Sequence, residues 1–344
     1  MRGKEQVSTN SKRYDALDGV RVLAMTGILV MHVLANLSYR DELSKIYSYI
    51  MYFGKMTSLF MMVSAFSISC GYYSKIQQDF RSIESFYSKR YQKIFPFFAF
   101  ITVLDVALSI SKESIFEGFA NLTLVFGLIP HESITVIGVG WTLGVIFVFY
   151  LLYPFVVYLM KNRIRFNIAF IVTLIYAFIV NDYFGLGKVD FLYCACYFMG
   201  GAWLFLNKER IEKNCKRLYL LPLIIAMIIL FYVCAFRFKI AMDVVQYVLF
   251  MLITVYAITA SGRRTVLSNR VMKLLSSLSL EIYLCHMVVF RVVEKMHLTH
   301  VFSNELLSFI FVSVIVFVGS VCGSAMFQKV YGLIRNNYMK GKEI

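Results

Sequence analysis

Long stretches without Asp, Glu, Lys or Arg recur along this chain and restrict its fold more than any other feature. A helix needs about 20 mainly apolar residues to cross a hydrocarbon core of about 30 Å. Ten mainly apolar stretches with at most two charged residues each approach or exceed that length, at residues 17–38, 47–73, 95–111, 139–160, 166–181, 190–206, 218–236, 242–260, 274–290 and 302–328. We therefore predict an all-α integral membrane protein with about ten transmembrane helices.

The composition excludes a water-soluble globule. Of the 344 residues, 59% are hydrophobic and 16% are charged, whereas a soluble protein carries about 25% charged residues. A further apolar segment, 119–129, is too short to cross and ends at Pro130, so we expect it to be interfacial or re-entrant. The prediction is a single membrane domain at 17–330 between tails at 1–16 and 331–344. The seven cysteines show no paired ligand spacing, and neither disulfides nor a metal site are expected.

The formal charge of +15 is distributed unevenly along the chain, and this predicts its orientation. With a cytoplasmic N-terminus, ten spans place 25 of the 35 Lys and Arg in cytoplasmic segments and 8 on the opposite side. Cytoplasmic loops are enriched in these residues. Both termini are therefore predicted to be cytoplasmic, and the charge is an orientation signal rather than a nucleic-acid-binding surface.

Ionisable residues inside the predicted spans are the main guide to chemistry, because they are costly there and usually functional. They are Arg21, His32, Lys55, Asp105, Glu281 and His286. Arg21 and His32 are eleven residues apart, so they share a helix face at depths that differ by about 16.5 Å. An arginine suits phosphate or carboxylate, and a histidine can act as a general base. The alternative is a neutral imidazole that bridges two helices by hydrogen bonds.

The ninth predicted span carries a second group of polar residues. Ser279, Tyr283 and His286 fall on one helical stripe, with Glu281 to the side. The rise per residue puts Glu281 near mid-membrane and His286 at about the depth of His32. Lys55, in the second span, reaches a similar depth.

A pair of cations precedes the third predicted span. Arg90 and Lys93 would point the same way if that helix begins before them. Such a pair suits a polyanionic ligand such as the phosphates of coenzyme A, while ordinary positive-inside charge is the alternative.

Five sequence blocks together resemble the membrane-bound acyltransferase 3 family, whose members O-acylate bacterial surface carbohydrates. The first is Asp18-Gly19-Val20-Arg21 followed by His32. The others, in family order, are FMMVSAF (60–66), FYSKRYQKIFP (86–96), WTLGVIFVFYLLYP (141–154) and SLEIYLCH (279–286). The resemblance covers residues 15 to about 330.

The resemblance implies transfer of an acyl group, acetyl by preference, from cytoplasmic acyl-CoA to a hydroxyl of a cell-surface polysaccharide or lipid-linked glycan. It implies a bacterial inner-membrane protein whose partners are membrane lipid, acyl-CoA and a glycan or glycolipid acceptor, without a permanently bound cofactor. His32, Arg21 and Glu281 would be catalytic, with Glu281 orienting His32 or merely fixing two helices. Arg90 and Lys93 would bind acyl-CoA. Tyr283, His286, Trp141 and Lys55 are candidates for the acceptor or oxyanion site, with packing or interface anchoring as alternatives.

Three positions depart from the family pattern, and two other classes of function stay open. The family commonly has Gly where this chain has Ala65, Arg where it has Lys93, and in many carbohydrate-acylating members Glu where it has Ile146. The last departure leaves the acceptor subclass open. The rival readings are a transporter or exporter, for which Lys55 and Asp105 would be a candidate pair, and a membrane scaffold without catalysis.

Overall fold

The computed structural model describes residues 12–77, 79–129, 134–185, 187, 189–238 and 242–340, and these ranges contain helices but no strands. The first eleven residues of the predicted N-terminal tail, Pro130 and residues 341–344 lie outside them. The α-helices are α1 (Ala16–Asn36), α2 (Ser44–Ile50), α3 (Met56–Tyr72), α4 (Phe80–Leu108), α5 (Lys112–Thr123), α6 (Trp141–Met160), α7 (Arg163–Ile175), α8 (Asn181–Phe184), α9 (Phe191–Leu206), α10 (Lys208–Asn214), α11 (Arg217–Val233), α12 (Met242–Ala260), α13 (Arg270–Ser277), α14 (Ser279–Lys295) and α15 (Glu305–Lys340). Short 3-10 or π-helical turns extend or join several of them.

Eight helical segments of the described chain are long and apolar enough to cross a membrane, so the all-α membrane prediction is confirmed. They are Ala16–Asn36, Ser44–Tyr72, Phe80–Leu108, Gly138–Met160, Arg163–Val180, Arg217–Phe236, Met242–Ala260 and Glu305–Arg335. The other two predicted spans correspond to α9, which has only 16 residues, and to the pair α13 and α14. The count of ten and the cytoplasmic termini stay predictions.

The ninth predicted span, 274–290, is not one straight helix. The chain bends by 67° between α13 and α14, with Leu278 at the break. α13 starts separately because the Asn269 side chain caps it, accepting a hydrogen bond from the Met272 amide at 2.8 Å. Val271 and Leu274 are exposed on α13, as expected for a helix at a membrane surface.

The third predicted span starts fifteen residues earlier than expected. Asp79 caps α4, accepting a hydrogen bond from the Ser82 amide at 2.8 Å, and the helix then continues through Pro96 to Leu108. Proline removes one helical hydrogen bond but does not end this helix. Arg90 and Lys93 are therefore helical residues rather than part of a preceding loop.

The segment around 119–129 does not form a helix long enough to cross. α5 covers its first part and begins with a capping box formed by Ser111 and Ser114. Phe116 and Phe119 are exposed on α5, which suits an interfacial position. The following turn, Phe126–Leu128, packs so closely on α6 that a Cβ on Gly127 would lie 2.5 Å from the Gly144 carbonyl carbon. At the other end of the chain, α15 continues to Lys340, so the predicted C-terminal tail begins as helix.

α1 lies between the two hydrophobic cores of the protein. Leu17 and Val20 belong to a core that includes α3, α6 and α9, while Ile28 and Leu29 belong to one that includes α4, α14 and α15. α3 and α9 approach each other closely at Gly201. Arg21 and His32 therefore lie on a helix that packs against both cores.

Candidate active site

A cavity of about 220 Å³ lies beside the first turns of α1, and three cations face it. They are Arg21 from α1 and Arg90 and Lys93 from α4. The complete lining is Arg21, Phe60, Ser64, Ser67, Ile68, Tyr72, Arg90, Lys93, Ile94, Leu143, Ile146, Tyr150, Ser276, Ser279 and Leu280. None of these residues is acidic. The cavity is therefore suited to an anionic ligand, since among the described residues only Arg21 of the three cations has an ion pair, with Asp18 behind the wall.

Arg21 is held in place from two sides. Its guanidinium donates to Asp18 Oδ1 at 3.2 Å and to the hydroxyl of Ser67 on α3. Asp18 also accepts hydrogen bonds from Arg13 at 2.6 Å and from Ser276 at 2.9 Å. Asp18 thus joins α1 to α13 behind the cavity and directs the guanidinium of Arg21 towards it.

Arg90 is held by an aromatic side chain. Its Nη2 donates to the Tyr72 hydroxyl at 2.8 Å, and its guanidinium lies 4.7 Å from the centre of the same ring. Arg90 Nε is buried without a partner among the described residues. Lys93 follows Arg90 by three residues, about one turn of α4, and therefore faces the same side of the helix. α4 therefore presents two of the three cations of the cavity.

His32 and His286 are in ring contact in the half of the molecule away from Arg21. Their ring centroids are 5.4 Å apart and their planes are inclined by 43°. His286 is fully buried, and its Nδ1 lies 2.6 Å from the Tyr283 carbonyl oxygen. Because a carbonyl only accepts, Nδ1 carries the proton in this arrangement. His286 Nε2 is then an acceptor, and it has no partner among the described residues.

A narrow apolar space of about 10 Å³ adjoins the cation cavity, and neither His32 nor His286 lines it. It is lined by Ile28, Thr57, Phe60, Thr142, Leu143, Ile146, Leu280 and Tyr283. Four of these residues also line the cation cavity, so the two spaces adjoin. Ile28 lies one helical turn before His32.

Glu281 does not orient His32 in this structure. Its Oε1 accepts a hydrogen bond from Gln328 on α15 at 2.8 Å, and its Oε2 is buried without a partner among the described residues. No hydrogen bond joins it to His32. The predicted orienting role therefore has no geometric support, and Glu281 links α14 to α15 rather than to α1.

Neither Tyr283 nor His286 has a free donor for an oxyanion. The Tyr283 hydroxyl lies 2.9 Å from both the Val139 carbonyl oxygen and Thr142 Oγ1, and its single proton goes to the carbonyl, which can only accept. His286 donates to Tyr283 itself. Tyr283 thus fixes α14 against the start of α6, and the predicted oxyanion role has no support from this geometry.

Lys55 and Asp105, predicted as a candidate pair, lie in two different ion pairs. Lys55 donates to Asp243 at 3.0 Å. Asp105 accepts from Arg291 and, at 2.9 Å, from the Ile137 amide. The predicted pairing of Lys55 with Asp105 was wrong. The actual partners lie on segments distant in sequence, and sequence spacing does not reveal how those helices are rotated towards each other.

Trp141 lies away from the cation cavity. It lines a separate cavity of about 290 Å³ together with Gly127, Val145 and Asp190, among others. Ile146, which stands where many relatives carry Glu, lines the cation cavity and the apolar space. A glutamate there would place a carboxylate opposite the cations, so this departure changes the charge of the site.

Several residues of the cavity were missed by sequence reasoning. Ser67, Tyr72, Tyr150 and Ser276 line it, and Asp18 stands behind Arg21. Asp18 was visible in the first block as the i, i+3 neighbour of Arg21. Ser276 had no such signal, because it joins the site only through the bend at Leu278.

The fold and the site together define a class of protein: a helical membrane protein with a cationic cavity. The chain belongs to the acyltransferase 3 family (Acyl_transf_3), whose model, an acyltransferase domain, matches residues 14–327. No curated protein and no solved structure matches the chain. The protein is accordingly a membrane acyltransferase in general terms.

Proposed function

We propose that this protein moves an acyl group, acetyl as the family resemblance implies, from acyl-CoA to a hydroxyl of a surface polysaccharide or lipid-linked glycan in a bacterial inner membrane. The observation that carries the proposal is the cavity with three cations beside the first turns of α1, the helix that also places His32 in ring contact with His286. The glycan acceptor and the bacterial membrane rest on the family resemblance.

The donor is proposed to bind through its phosphates at Arg21, Arg90 and Lys93. Charge-assisted hydrogen bonds to phosphate are about twice as strong as neutral ones. Arg21 and Arg90 are already oriented by Ser67 and Tyr72, so little ordering is needed when the anion arrives. The thioester end would lie towards Leu143 and Leu280, the apolar side of the cation cavity.

His32 is proposed as the general base. It takes the proton of the acceptor hydroxyl while the oxygen attacks the thioester carbon, so that a C–O bond forms and the C–S bond breaks. The proton then passes from His32 to the departing thiolate of coenzyme A. His286 Nε2 accepts the N–H of the His32 imidazolium, a role that a carboxylate has in other catalytic histidines.

A second route uses the same residues. His32 attacks the thioester carbon itself, releases coenzyme A and carries the acyl group to the acceptor. Incubation with labelled acyl-CoA without acceptor distinguishes the routes, since only the second leaves label on His32.

Transfer of label from acetyl-CoA to membrane glycan tests the function. Membranes that contain a His32→Asn variant should lose about 10²- to 10⁴-fold in transfer, the usual contribution of a general base. His297→Asn, at an exposed histidine away from the cavity, is the matched control and should keep full activity. Full activity of the His32 variant eliminates the mechanism, and solute movement without label transfer would favour the transporter reading.

A further inference from the structure

A second cationic cavity lies outside the candidate active site, where α10 meets α11 beside the end of α12. Its volume is about 370 Å³. The lining residues are Glu212, Lys213, Cys215, Lys216, Arg217, Leu218, Thr259 and Arg263. Four of them are cations, and none is shared with the cavity of Arg21. Neither the proposed reaction nor the family assignment gives this cavity a role.

The charges of this cavity are not balanced within the described chain. Its single acid, Glu212, is paired with Lys12 at 2.7 Å. The four cations, by contrast, have no ion pair or side-chain hydrogen bond among the described residues. Nearby cations do have partners: Arg163 donates to the Leu206 carbonyl at 3.0 Å, and Lys161 lies 4.8 Å from the Tyr73 ring centre. The cavity therefore carries a net positive charge that an anion would balance.

The start of α11 adds backbone donors to the same place. α11 has 17 residues, and Lys216 before it provides no side-chain cap. The amides of Arg217 and Leu218 have no hydrogen-bond partner in the described chain. Free amides at the beginning of a helix favour an anion, which the helix dipole also attracts.

Next to this cavity, the first turns of α11 expose apolar side chains, of which Leu218 also lines the cavity. Leu218 and Tyr219 are 77% and 68% exposed at the beginning of the span Arg217–Phe236, and Leu221 is exposed one turn further. A free phosphate would contact only the cations and amides, whereas a phospholipid would also contact the exposed apolar side chains of α11. Basic pockets between transmembrane helices are known lipid-headgroup sites. We propose that this cavity binds the phosphate headgroup of an anionic phospholipid, whose acyl chains lie along α11.

Spin-labelled lipids on the full-length protein test this proposal. In phosphatidylcholine vesicles, the protein should immobilise spin-labelled phosphatidylglycerol in preference to spin-labelled phosphatidylcholine. The triple variant K216Q/R217Q/R263Q should lower that preference at least about tenfold, since each cation near a membrane surface contributes about 1 kcal/mol. The triple variant R264Q/R270Q/K273Q removes the same charge from neighbouring exposed positions and should leave the preference largely intact.

Two results would overturn the proposal. An equal loss in both triple variants would mean that general surface charge attracts the lipid. Displacement of the labelled phosphatidylglycerol by inorganic phosphate, but not by sodium chloride of equal ionic strength, would identify a free-phosphate site instead. If the cavity variant does not fold, Lys216→Glu against Lys273→Glu gives the same comparison with one charge each, and a loss at Lys216 only is the expected result.

Discussion

The imidazole of His32 meets the imidazole of His286, and no carboxylate is hydrogen-bonded to either ring among the described residues. The centroids are 5.4 Å apart, and the Tyr283 carbonyl fixes the proton of His286 on Nδ1. His286 Nε2 is thereby left as a buried acceptor beside His32. A neutral acceptor in this position stabilises a protonated His32 without adding a permanent charge to the membrane interior.

Replacing His286 by leucine should slow acyl transfer about 100-fold, within the range for assistance to a general base. The lone pair of Nε2 is lost while the buried volume is largely kept. His286→Gln, whose amide oxygen can accept a hydrogen bond, should lose less. The rate of label transfer as a function of pH is the measurement, and the profile of the leucine variant should differ in shape from wild type. Identical profiles and rates would assign His286 to packing alone.

Replacing Arg90 by glutamine should raise KM for acyl-CoA about 10- to 100-fold, because a hydrogen bond to a charged group contributes about 1.5–3 kcal/mol. The chemical step does not use Arg90, so kcat should change little. Lys89→Gln is the control, because Lys89 precedes Arg90 on α4 but does not line the cavity. Steady-state kinetics on reconstituted protein give both constants. An unchanged KM for Arg90→Gln, or an equal rise for Lys89→Gln, would contradict donor binding by this side chain.

Gly201→Ala should destabilise the protein by about 1–3 kcal/mol, as overpacking of a tight interior does. A Cβ there would lie 2.1 Å from the Met62 carbonyl oxygen and 2.8 Å from the Ala65 Cβ, so α3 and α9 would have to move apart. Gly323→Ala on α15 is the control, because a Cβ there meets nothing within 4 Å. Thermal unfolding in detergent compares the two. Equal melting temperatures of the two variants would show that α3 and α9 can move apart without loss of stability.

Lowering the pH should weaken the contacts that hold residues 134–140, the segment before Trp141. Glu117 Oε2 accepts hydrogen bonds at 2.8 Å from the Thr135 amide, the Thr135 hydroxyl and the Val136 amide. Burial raises the pKa of Glu117, but these bonds lower it by more, so its pKa lies below its ordinary value. A lowered pKa stabilises the fold above the unfolded-state pKa, and the stabilisation is lost as pH falls through the folded-state pKa.

Hydrogen exchange of the Thr135 and Val136 amides measures this weakening. Protection should be full at neutral pH and should fall in the acid range below the ordinary glutamate pKa. Glu117→Gln, which cannot ionise, should lower protection at neutral pH and remove the pH dependence. Unchanged protection in that variant would mean that Asn121, which donates to the Val136 carbonyl at 2.9 Å, holds the loop alone.

Helix arithmetic anticipated part of the site. Eleven residues between Arg21 and His32 correspond to about three turns, and the structure has both on α1, beside the cavity and beside His286 respectively. The spacing of Ser279 and His286 likewise assigned them to different depths of one helix. These inferences depend only on the geometry within a single helix, which local sequence determines.

Partners from distant helices were not predictable. Glu281 is bonded to Gln328, 47 residues later, and Lys55 to Asp243, 188 residues later. Such pairs depend on how each helix is rotated and placed, and many similar rotations bury the same apolar residues. The bend at Leu278 also lacked a signal, since neither Gly nor Pro marks it, and without the bend Ser276 would not have been expected at the cavity.

α15 has 36 residues, about 54 Å at the usual helical rise, and so it extends well beyond a hydrocarbon core of about 30 Å. Phe327 packs against both Phe97 and Phe100 of α4, and from this crossing both helices continue towards the side where the three cations lie. α4, with 29 residues, is also longer than one crossing, so both helices have length left over that must lie outside the hydrocarbon core.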